Sequence, residues 1–165
     1  MAAKGDLLRL RAELDADMEL LESHANQNAR AMQRIENGAD DELDYAALGY
    51  TVHNLYSIIE NYALRIAKTF ENSLGDSSWH RELIYRMTLE IPQTRPRVWS
   101  RELSRDIDEL RRFRHAFRHI YDSKVEPDKL MVAQSRVPRV LSGICDAHAE
   151  FQAKLSALIE ALDEG

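Results

Sequence analysis

The sequence predicts an all-α chain, a helical bundle of four long helices and one short one. Three observations lead there. Apolar residues recur at spacings of three and four over long stretches, the period of one helix face. Only 6 Gly and 4 Pro interrupt 165 residues. Residues that favour strands form no alternating runs, and Asn37-Gly38 leads into the acidic stretch Asp40-Asp41-Glu42 rather than into a second strand.

The first helix is expected from about Asp6 to Glu36, with Leu7, Leu10, Leu14, Met18, Leu21 and Ala25 as its apolar stripe. Asn37-Gly38 is its stop signal. A second helix opens at Glu42 or Leu43 and runs to about Asn72. Its stripe takes in Leu48, Val52, Leu55, Ile58 or Ile59, Tyr62, Ile66 and Phe70. Gly75-Asp76-Ser77 ends that segment and supplies oxygens to cap a short third helix, from about Ser78 to Thr88. Two prolines in Ile91-Pro92-Gln93-Thr94-Arg95-Pro96 force a loop. The fourth helix runs from about Val98 to Tyr121, and Asp122 to Pro127 is a break. Pro127 suits the first turn of a last helix that reaches about Leu162. Pro138 is expected to kink or split it.

Length and the absence of any linker or repeat predict a single domain over residues 1–165. The lone cysteine, Cys145, allows no internal disulfide and no cysteine-based zinc site; it is expected as a small buried residue on a helix. The N-terminal stretch alternates charge with Leu and has no apolar signal core. No apolar run approaches the roughly 20 residues a spanning helix needs. A cytoplasmic protein with no membrane contact, no cofactor and no metal is the expectation.

The net charge of −6 argues against nucleic acid only on average. Eight arginines lie between Arg95 and Arg118, against Glu102, Asp106, Asp108 and Glu109. Contact with a phosphate backbone is local, and distant charge is screened. At roughly 100° per residue, Leu110, Phe113, Ala116, Phe117 and Ile120 fall on one side of the fourth helix as its core stripe. The opposite side receives Arg111, His115, Arg118 and Asp122, flanked by Arg114 and Tyr121 on one edge and His119 on the other.

A solvated basic face is the plain reading of such a stripe. However, this face uses Arg and His in place of the usual mixture of Lys and Glu. Arginine binds phosphate in a planar, bidentate way. Histidine gives and takes protons near neutral pH. Attack of a ribose 2′-OH on its own 3′-phosphate needs a base, an acid and a cation on the phosphate, and no metal.

Arg114, His119 and Tyr121, within RHAFRHIY, fit the pattern Arg-x4-His-x-Tyr. On this motif the chain resembles the HEPN ribonucleases, and among them the HepT branch, toxins paired with a minimal nucleotidyltransferase antitoxin. The family often has Asn directly after the arginine; here that residue is His115. The resemblance implies a HEPN-like bundle and a homodimer whose motif helices line a shared cleft for RNA. It implies His119 as acid or base, Arg114 on the scissile phosphate, and Tyr121 as the acceptor of AMP from the cognate antitoxin. On a straight helix Arg114 and His119 point roughly 140° apart, so a two-copy cleft or a distorted helix end is needed to bring them to one phosphate.

His115, Arg118 and Arg111 are the expected supporting RNA contacts. Trp79 reads as a core or interface anchor, and His80 as a capping or surface residue. Arg95, Arg97 and Trp99 either line the mouth of a cleft or decorate a surface loop. Asn54, Glu60 and Asn61 are either polar groups inside the bundle or its wet face. His24, His53 and His148 lie too far apart in sequence to read as a metal site. The expected function is a metal-independent endoribonuclease toxin neutralised by a nucleotidyltransferase. The alternative class is a non-catalytic helical module that binds a nucleotidyltransferase or another protein.

Overall fold

The computed structural model describes residues 2–71, 79–119 and 124–164. Among them are five helices and no strand: α1 (Lys4–Glu36), α2 (Glu42–Phe70), α3 (Trp79–Arg86), α4 (Arg101–Arg118) and α5 (Pro127–Asp163). The all-α bundle of four long helices and one short helix is the architecture the periodicity predicts. The Gly75-Asp76-Ser77 cap, Ile120 and Asp122 lie outside the described residues.

Local chemistry sets the ends. α1 stops where Gly38 takes a φ of 98°, a left-handed conformation that glycine adopts without a Cβ clash. Gly38 N–H then reaches Ile35 O at 3.0 Å, and Ala39 N–H reaches Arg34 O at 3.0 Å. These are the paired bonds of a Schellman stop. Asp41 caps α2 by accepting from Leu43 N–H at 2.8 Å, and Ser100 caps α4 by accepting from Leu103 N–H at 3.1 Å. Pro138 does not split α5, which is one helix from Pro127 to Asp163. Pro138 lies on its exposed side, where its ring meets solvent rather than the core.

Side-chain pairs show how the helices run. Arg34 meets Asp44 and Asp17 meets Arg65, so α1 and α2 are antiparallel. Lys4 pairs with Asp163, and Arg11 with Gln152, so α1 and α5 are antiparallel as well. α4 runs against α5 with Asp106 between Arg136 and Arg139. Gly143 of α5 leaves room for Leu103, because a Cβ there would come within 2.8 Å of its Cδ1. α2 is the helix that touches all four others. One core contains Leu10, Leu14, Leu48, Leu55, Ile107, Val140 and Phe151.

Buried polar groups cross-link this core. Asn28 on α1 donates to Thr51 on α2 at 3.0 Å and exchanges two bonds, 2.8 and 3.0 Å, with Gln134 on α5. Burial is tolerable because each polar atom has its partner. Tyr62 on α2 meets His148 Nδ1 at 2.9 Å, and His148 Nε2 meets Asp15 at 2.9 Å. Burial, then the charges of Asp15 and Asp17, push the Tyr62 phenol far above its ordinary range.

Several expectations are corrected here. Arg95 does not line a cleft mouth. Only 2% of it is exposed, and it donates to Glu71 Oε1 through Nε and Nη2 at 3.0 and 2.8 Å. Its guanidinium also satisfies the carbonyls of Arg86, Leu89 and Pro96, which ties the end of α2 to the loop after α3. Trp99 is buried too, with its indole N–H on Ile84 O at 3.2 Å. Cys145 is exposed on α5 rather than packed inside. Ala116, assigned to the core stripe of α4, is exposed, because the buried side of that helix is centred on Leu103, Asp106, Ile107 and Leu110. No helix among the described residues is long and apolar enough to cross a membrane.

Candidate active site

The antiparallel seam between α2 and α4 holds most of the polar chemistry. At one end Gly49 permits close approach: a Cβ there would sit 3.1 Å from Phe117 Cε2 and 3.3 Å from Phe113 Cζ. The two phenyl rings stack at 5.7 Å, and one turn along α2 the His53 ring lies 5.8 Å from Phe117. These rings set the distance between the helices. The side chains one turn further on α2 meet Arg114.

Arg114 follows Leu103, Ile107 and Leu110 at steps of four, three and four. That spacing puts it on the inward seam of α4, not on the flank of the solvent face. The half-buried side chain donates from Nε to Ser57 Oγ at 3.1 Å, and its guanidinium carbon lies 5.6 Å from the centre of the Tyr56 ring. Tyr56 is fully buried and donates its phenol proton to Glu60 Oε2 at 2.7 Å. Burial first, then the charge of Glu60 and this bond, push the phenol far above its usual range, against the opposing pull of Arg111 and Arg114. Tyr56 is therefore a fixed donor. The same Glu60 oxygen meets His80 Nδ1 at 2.6 Å, and the Trp79 ring stacks on His80 at 3.6 Å. A connected path thus runs from α3 through Glu60 and Tyr56 to Arg114.

His53 sits beside this path. Burial, then the charges of Arg114 and Arg118, lower its pKa below the ordinary histidine value. It is neutral near pH 7, and its buried Nδ1 has no hydrogen-bond partner among the described residues.

The other motif residues stand apart. α4 ends at Arg118, and His119 is its C-cap, with φ −101° and ψ 16°. The helix therefore terminates at this histidine. His119 turns to His115, and the two exposed rings meet edge-on at 4.8 Å. No hydrogen bond joins Arg114 to His119 among the described residues. Arg111 is held by Asp108 at 2.6 Å, and Arg118 is exposed. Tyr121 lies outside the described residues.

Sequence reasoning missed Ser57, Tyr56, His53 and the Glu60–His80 pair as neighbours of the motif. One signal was available: the Leu103, Ile107, Leu110 register carries straight into Arg114 and then Phe117. Glu60 and His80 have no comparable signal, because their contact depends on where α3 docks.

Comparison with known proteins completes the picture. A family model described as HepT-like protein matches residues 47–155, well over half of the chain, and so takes in α3, α4 and most of α2 and α5. No curated protein and no solved structure matches the chain.

Proposed function

The chain belongs to the HepT-like family of the HEPN superfamily, and from that premise we propose that it is an endoribonuclease toxin that cuts RNA without a metal. The family is one of HEPN toxin-type proteins whose members are usually ribonucleases. The observation that carries the reading is the anchoring of Arg114. Its Nε is taken by Ser57, and its terminal nitrogens have no protein partner among the described residues. A guanidinium fixed along one edge presents the other to a phosphate.

In the proposed step the ribose 2′-oxygen attacks the adjacent phosphorus. The 2′-O–P bond forms, the P–O5′ bond breaks, and a 2′,3′-cyclic phosphate and a 5′-hydroxyl remain. One imidazole takes the 2′-OH proton and another protonates the departing 5′-oxygen. Arg114 balances charge on the non-bridging oxygens. His119 supplies an imidazole from each of two copies, which is why the reading includes a homodimer with the α4 ends facing one cleft. His115, Arg118 and Arg111 lend contacts to RNA around it.

The neutralising partner in this reading is a minimal nucleotidyltransferase that transfers AMP to Tyr121. The added phosphates would lie near the arginines of α4 and block RNA there. Mass spectrometry of the protein made with and without such a partner tests this. AMP adducts on Tyr121 together with lost RNA cleavage support it. An unmodified, inactive complex would assign neutralisation to binding instead.

A further inference from the structure

A second basic feature continues from the motif. A groove of about 490 Å³ lies among α3, α4 and α5, lined by Arg81, Tyr85, Arg105, Arg112, Arg136 and Asp106, with Asp108 and Glu109 at its α4 wall. Its three acids are already engaged. Asp106 is bound by Arg136 and Arg139, Asp108 by Arg111 and Arg112, and Glu109 by Arg112. Arg81 and Arg105 are exposed and have no ionic partner among the described residues. The groove therefore has spare positive charge and no spare negative charge.

Tyr85 gives the groove an aromatic surface. It is 53% exposed, its backbone carbonyl accepts from Thr88, and its ring has no hydrogen-bond or aromatic partner among the described residues. An exposed tyrosine between unpaired arginines fits an unstacked base beside its phosphates. Duplex RNA keeps its bases stacked and presents only phosphates and groove edges.

The groove also leads somewhere. Arg105, Arg112 and His119 are all exposed and are spaced seven residues apart. Arg105 and Arg112 share one face of α4, about 10 Å apart along the axis, and His119 caps the helix a similar distance further on. A strand lying on Arg81, Tyr85 and Arg105 would pass Arg112 and arrive at His119.

We propose that the Tyr85–Arg105–Arg112 groove is the track along which single-stranded RNA reaches the α4 end. This rests on the ribonuclease reading above and adds the form of the substrate and the path it takes.

The test compares cleavage of a 20-nucleotide single-stranded RNA with cleavage of a dinucleotide too short to reach the groove. Tyr85→Ala should weaken use of the long RNA roughly ten-fold through KM, while Tyr85→Phe retains it. Dinucleotide cleavage should be unchanged in both. Replacing Arg81 and Arg105 by Gln should reduce the salt-dependence slope of 20-mer binding by about 1.4, or about 0.7 per lost phosphate contact. Unaltered long-RNA cleavage in these variants would overturn the track and leave the ribonuclease reading standing. If the wild type cuts neither substrate, the ribonuclease reading falls. Binding of a labelled 20-mer then decides the groove alone: binding lost in the double variant supports it, and no binding overturns it. Variants that bind RNA normally but lose capture of a nucleotidyltransferase would make the groove a protein interface and overturn the proposal.

Discussion

Arg114 and Ser57 are joined across the α2–α4 seam by a 3.1 Å bond from Nε to Oγ, so the direction of the guanidinium is set by a side chain 57 residues earlier. The serine acts as a positioning residue in this account. Ser57→Ala removes a bond to a charged group, about 1.5–3 kcal/mol. RNA cleavage should fall at least ten-fold in kcat with little change in KM, and Ser57→Thr should restore most of it. An equal loss in the threonine variant would mean that the seam merely packs there.

Arg114→Lys should cost about as much as Arg114→Ala, on the order of a hundred-fold or more in kcat. An ammonium can reach a phosphate but cannot hold Ser57 and grip two oxygens in one plane. Steady-state cleavage kinetics measure this, and near-wild-type activity of the lysine variant would remove the bidentate role.

Glu60 tests the path behind Arg114. Glu60→Leu leaves the buried Tyr56 hydroxyl without an acceptor, a cost of about 1–3 kcal/mol. Glu60→Gln keeps an amide oxygen for Tyr56 and should cost less. Thermal unfolding should show a drop of roughly 3 °C or more for Leu, and the glutamine variant should fall between it and the wild type.

His53 gives a pH prediction with a fixed sign. Its pKa is lowered in the folded state, so below the unfolded value of 6.5 the unfolded chain binds more protons there. The stability this site contributes is complete above that value and is lost as pH falls through it, levelling off below the folded pKa. Urea unfolding at pH 7.5 and pH 5 should show a smaller loss on acidification for His53→Gln than for the wild type. An identical loss would mean that His53 is as easily protonated in the folded chain as in the unfolded one.

Much of the fold was legible in the sequence, because apolar periodicity is a local property. The α1 stripe and the Asn37-Gly38 stop needed nothing beyond neighbouring residues. The seam position of Arg114 was also legible, since Leu103, Ile107 and Leu110 point to it. It was misread because Phe113, Ala116 and Phe117 drew the core stripe towards Ala116. Arg95 was not legible. An arginine between two prolines suggests a surface loop, and its burial depends on Glu71 and three carbonyls that only the folded chain brings together.

Arg95 and Arg97 should therefore behave oppositely. Arg95→Ala leaves the half-buried Glu71 with Arg86 alone, 3.8 Å away, and takes the donor from three carbonyls, so it should destabilise the fold by about 3 kcal/mol. Arg97→Ala, at an exposed position, should stay within about 0.5 kcal/mol of the wild type. Chemical denaturation distinguishes them, and equal stability of the two variants would contradict the anchoring role of Arg95.

The central claim is RNA cleavage by Arg114 and His119 without a metal. Its most direct test is cleavage of single-stranded RNA in excess EDTA, with the product ends identified by mass spectrometry. The account predicts 2′,3′-cyclic phosphate and 5′-hydroxyl ends from the wild type, and no product from a folded His119→Ala variant. Full activity of that variant, or wild-type cleavage abolished by EDTA, would contradict it.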